Sequence, residues 1–168
     1  DRLIEAAGAH ELAEARRIWA GYFLASIDVD RGELKAARQR LAALDASVRK
    51  QLSLSEDDTR LRETLVAVLL ERTVVEAALG ERQRALELAN AACEASGSLA
   101  AMDADNLLWQ SYHAGALTTR ARLRAEGARP WPDAAASEFE AQRERMLKLA
   151  LRAPGSTFVV LAAAEAQR

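Results

Sequence analysis

The sequence predicts an all-α chain of antiparallel helical hairpins stacked in one layer. Gly32, Gly80 and Gly127 lie 48 and 47 residues apart, and each separates two helix-like stretches. A fixed internal period of roughly 20–50 residues marks a repeat array, in which each unit buries its apolar face against the next. Alanine dominates the apolar residues and only three prolines are present, so strong helix formers are almost uninterrupted. Apolar residues recur at three- and four-residue steps throughout, the spacing of a helix with one buried face.

Arg2 to Asp30 is expected to form one long helix or two nearly continuous ones, with Leu12, Ala15, Trp19, Tyr22, Phe23 and Ser26 inward and Gly8 and Gly21 as weak points. Asp30-Arg31-Gly32 is the turn. The second helix carries the cleanest stripe, Leu34, Ala37, Leu41, Leu44 and Val48. Ser53 to Asp58 connects the first repeat to the second, and Ser55 with Asp58 resembles a capping box. The third helix runs to Leu79, with Leu61, Leu65, Leu69, Leu70, Val74 and Ala77 apolar against Glu63, Glu71, Arg72 and Glu76. After Gly80 the fourth buries Ala85, Leu88, Ala89, Ala92 and Cys93, and Ser96-Gly97 is expected to end it. Asp103 is expected to start the fifth, whose inner face is Leu108, Tyr112, Ala116, Thr119 and Leu123. A longer turn runs from Gly127 through Pro130-Trp131-Pro132. The sixth helix then buries Ala135, Phe139, Gln142, Met146 and Leu149, and Pro154-Gly155 precedes a short seventh.

These units give a single domain over 1–168, with repeats at about 4–52, 53–98 and 99–153 and a terminal helix at 156–167. The spans Leu52 to Gly80 and Leu99 to Gly127 have equal length and superpose without gaps, Leu61 falling on Leu108. An up-down bundle is the competing architecture.

Two segments carry a family resemblance. Leu79-Gly80-Glu81-Arg82-Gln83-Arg84-Ala85-Leu86-Glu87-Leu88 resembles the middle of a tetratricopeptide repeat. Gly80 stands at the turn, and Ala85, Ala89 and Ala92 stand at the small or apolar positions. Asp30 to Ala37 repeats the pattern, with Ala37, Leu41 and Leu44 in the corresponding places. Asp103-Ala104-Asp105-Asn106-Leu107-Leu108-Trp109-Gln110 is similar to the lead-in of tetratricopeptide-like regions in bacterial signalling proteins. The resemblance covers residues 19 to 127. It implies a right-handed solenoid of about seven helices, associated with a serine/threonine kinase or winged-helix output domain. The period near 47 exceeds the family's 34, the first helix of each pair is long, and Asp28 and Glu76 occupy usually apolar positions. The resemblance therefore carries an architecture and no residue-level binding code.

Composition narrows the function. Net charge is −2 with acids and bases interspersed, which gives no general pull toward nucleic acid or an anionic membrane. No run approaches the ~20 apolar residues of a membrane span. The start at Asp1 is read as the edge of a piece of a longer protein, which leaves its compartment open. One cysteine, Cys93, excludes an internal disulfide. His10 and His113 lack partners at metal-ligand spacing, and no phosphate loop or nucleophile–base pair is present. Neither a catalytic residue nor a metal or cofactor is therefore expected, and the chain reads as non-enzymatic.

The residues suited to partner binding are Trp109, Tyr112, His113, Arg120, Arg124 and Trp131, because aromatics and arginine dominate interface energetics. Trp109, Tyr112, Arg120 and Arg124 recur along the fifth helix and could form one strip. Three functions remain open: a protein- or peptide-binding module coupling that event to an output domain, a small-molecule sensor lined by Trp109, Tyr112 and His113, and a self-associating spacer built on the first helix.

Overall fold

A computed structural model describes residues 2–126 and 133–152, where it places six α-helices. They are α1 (Arg2–Asp30), α2 (Leu34–Leu52), α3 (Thr59–Ala78), α4 (Arg82–Met102), α5 (Leu107–Ala125) and α6 (Asp133–Arg152). Each packs chiefly on its chain neighbours, and α1 also meets α3 while α3 meets α5. This is the sequential contact pattern of a helical-repeat array. The third turn, Trp131 and the expected seventh helix lie outside the described residues.

The first two turns are built alike. Gly32 and Gly80 adopt φ of 75° and 80°, the left-handed region in which a side chain is strained. Glu33 N–H donates to Asp28 C=O at 2.8 Å, and Glu81 N–H to Glu76 C=O at 2.9 Å. These bonds close the ends of α1 and α3 in the manner of a Schellman turn. The starts of α3 and α5 also match. Asp58 accepts from the amides of Arg60 and Leu61, and Asn106 accepts from that of Trp109. Side-chain caps of this kind satisfy amides that have no partner in their own helix.

The core is a chain of small clusters. Ile18, Ala25, Ala37, Leu41, Leu44, Val48, Val68 and Val75 join α1, α2 and α3. Leu69, Leu88, Ala92, Cys93 and Ala116 join α3, α4 and α5. Ala114, Met146 and Leu149 join α5 to α6. Buried hydroxyls lie among them, and Thr73, Ser96 and Thr118 each bond a carbonyl four residues back. That bond satisfies the hydroxyl within its own helix and allows it to be buried.

Several expectations are corrected. Among the described side chains of α1, which leave out Leu12 and Ala15, the buried ones are Ile18, Ala25 and Asp28, while Trp19 and Phe23 are 47% and 60% exposed. The side toward α2 needs small residues. A Cβ on Gly21 would lie 2.8 Å from Leu44 Cδ2, so bulky neighbours turn outward. Val74 is exposed, whereas Glu76 is buried because Arg38 of α2 meets its carboxylate. Ser96-Gly97 does not end α4, which continues to Met102. Gly97 instead makes room for the His113 ring, whose Cε1 would stand 3.2 Å from a Cβ there. The fifth helix starts at Leu107, after the Asn106 cap, and Asp103 instead follows the end of α4. Asp58 alone caps α3, without a reciprocal bond from Ser55.

Candidate functional site

The contacts of α1 with α3 and of α3 with α5 bypass α2 and α4. The first helices of the three hairpins therefore line one continuous surface. On it, Tyr22 of α1 lies within electrostatic reach of Glu71 of α3 and Tyr112 of α5. Trp109 Nε1 donates to Glu63 of α3, and Tyr112 also feels the Glu63 charge. Trp109, Tyr112, Tyr22, Glu63 and Glu71 are all half-buried, and Val74 is exposed.

Partial burial sets the electrostatics of this surface. Desolvation, then the charge of Glu71 and the neighbouring Tyr112, pushes the Tyr22 phenol up to about 12, while a Ser26 hydrogen bond opposes the rise. Burial raises the Tyr112 phenol as well, with Glu63 adding to the shift. Glu71 is held above the usual carboxylate range by desolvation and then by Asp30. At neutral pH the surface presents protonated phenols beside carboxylates that have lost part of their solvent. Such groups suit a partner that brings hydrogen-bond donors or a positive charge.

Five of the six sequence-predicted residues, Trp109, Tyr112, His113, Arg120 and Arg124, lie on α5. Trp109 and Tyr112 converge on Glu63. His113 turns toward α4, with Nδ1 3.2 Å from Ser96 Oγ. Its imidazole is held below the ordinary range by desolvation and then by Arg145 and Arg120, against a hydrogen bond to the Cys93 backbone. His113 and Arg120 therefore stand together near the junction of α4, α5 and α6. Arg124 is exposed, and its carbonyl accepts from the Arg82 guanidinium at 3.3 Å, beside that of Leu123 at 3.0 Å. Trp131, the sixth, lies outside the described residues.

The lead-in to α5 acts as a latch. Asp103 Oδ1 accepts from the Asp105 amide and Asn106 caps the helix. Gln110 donates to the Ala100 carbonyl at 2.9 Å and accepts from Arg145 at 2.6 Å. Tyr22, Glu63 and Glu71 were missed as members of the surface. Their only sequence signal is position on the first helix of a hairpin.

Among the described residues no group of three or more His, Cys, Asp or Glu side chains could hold a metal ion. No helix there is long and apolar enough to cross a membrane. Comparison with protein-family models, curated proteins and solved structures finds no match. What stands is an all-α stack of helical hairpins, a helical-repeat architecture suited to protein interaction.

Proposed function

We propose that the chain is a tetratricopeptide-like, non-enzymatic module that binds a protein or peptide segment along the surface of α1, α3 and α5. The carrying observation is the reach of Tyr22 to both Glu71 and Tyr112, which spans three hairpins. An extended segment laid over them would meet aromatic rings, phenolic donors and two half-buried carboxylates. Glu63 and Glu71 favour a partner with at least one basic side chain. Binding would stiffen the stacked hairpins together, and that change would pass to an output domain of a bacterial signalling protein, a kinase or a transcription regulator. The paired turns at Gly32 and Gly80 and the matched caps at Asp58 and Asn106 support the tetratricopeptide-like reading.

The test is selection of peptides from a random displayed library on the purified chain, followed by affinity measurement with the synthetic peptides. Tyr112→Ala is expected to weaken binding at least tenfold with helix content intact, as for an interface hot spot. Glu87→Ala, on the exposed side of α4, is expected to leave affinity unchanged. Selected peptides that bind Tyr112→Ala as tightly as the parent chain would overturn the proposal.

A further inference from the structure

The outer side of α1 carries apolar residues that the fold leaves open. Trp19, Phe23, Leu24 and Ile27 are 47%, 60%, 47% and 43% exposed. The helix packs on α2 and α3 through its opposite side, where Ile18, Ala25 and Asp28 are buried. Arg16, Trp19, Phe23, Ile27 and Asp30 follow one another at steps of three and four along a continuous helix, so they share one face. Arg16, Phe23 and Asp30 stand at heptad spacing, the repeat by which one helix pairs with another. Arg16 and Asp30 are both exposed, and neither forms an ion pair among the described residues.

We propose that this face binds the same face of a second copy of the chain, antiparallel, about a two-fold axis at Phe23. The charges select both the occupant and its direction. Phe23 lies midway between Arg16 and Asp30, seven residues from each. An antiparallel pair centred there sets Arg16 of each copy opposite Asp30 of the other, and Trp19 opposite Ile27. A parallel pair would set Arg16 against Arg16 and Asp30 against Asp30. The stripe is thus complementary to itself under two-fold rotation, as an isologous interface requires. The apolar centre supplies affinity and the flanking charges fix register and orientation.

The experiment is sedimentation equilibrium of the whole chain over a concentration series at low salt, with circular dichroism to verify folding. The parent chain is expected to dimerise, and Phe23→Glu to weaken the dimer at least tenfold with its melting curve unchanged. Arg16→Asp and Asp30→Arg are each expected to weaken self-association at least fivefold, because each sets like charges opposite one another twice. Mixing the two variants restores both attractions in a heterodimer, so the mixture is expected to associate about as tightly as the parent chain. Three results would overturn the proposal. They are a parent chain that stays monomeric up to millimolar concentration, a dimer indifferent to Phe23→Glu, and a mixture that associates no better than its components.

Discussion

Asp45→Ala removes the carboxylate that ties α2 to α3. Asp45 receives Arg72 of α3 on one oxygen and Arg49 of its own helix on the other. The Asp45 and Arg72 side chains keep only 12% and 11% of their surface in solvent, so loss of the acid strands a guanidinium with little water. Removing one partner of a fully buried pair costs 3–5 kcal/mol. The residual exposure places Asp45→Ala near the lower end, about 3 kcal/mol. For a chain of this size about 1 kcal/mol moves the midpoint by roughly 2–4 °C, so Tm is expected to fall by roughly 6–12 °C. Thermal melting followed by circular dichroism reads this directly. Asp45→Ala combined with Arg72→Met replaces the pair with apolar contact, and most of the loss is expected to return. A single variant melting within about 2 °C of the parent, or a double variant no better than the single, would show that Arg72 is solvated. The buried α2–α3 tie would then be refuted.

Two titrations probe the electrostatics. Burial and two arginines favour a neutral His113 in the fold, so its NMR midpoint is expected below the ordinary value of about 6.5. The unfolded chain then takes up the proton first. Stability is therefore full above about 6.5 and falls as pH drops toward the folded midpoint, a slope that His113→Gln is expected to lose. A midpoint at or above the ordinary value would contradict the packed ring. Tyr22, pushed up to about 12, favours its protonated form in the fold, so its contribution is present below about 10 and is lost as pH rises through the folded value. Absorbance titration of the parent against Tyr22→Phe checks this, and a Tyr22 midpoint near 10 would place the ring in open solvent.

The helices and turns were legible in the sequence because they rest on local physics. Gly32 and Gly80 signal left-handed turns, and Ala37, Leu41, Leu44 and Val48 of the α2 stripe are buried as its spacing predicts, with Leu34 half-buried at its start. Legibility fails where burial depends on which neighbour arrives. Gly97 reads as a helix end until the His113 ring is seen to need the space. Asp28 and Glu76 stand as acids at positions where an apolar residue is usual, and their burial makes sense only once Arg40 and Arg38 are placed against them. Trp19 and Phe23 read as core because they recur at helical spacing, yet close approach of α2 selects Gly21 and Ala25. The candidate surface was half legible. Trp109 and Tyr112 stood out as aromatics, but their convergence on Glu63, and the reach of Tyr22 to Tyr112 and Glu71, arise from stacking whole hairpins.

Recognition along the first helices of the hairpins is tested most directly by amide hydrogen exchange with a library-selected peptide bound. Added protection is expected on α1, α3 and α5 together, centred on the turns that carry Tyr22, Glu71 and Tyr112. Protection confined to α2, α4 or α6 would contradict the assignment and move the binding surface to the other side of the stack.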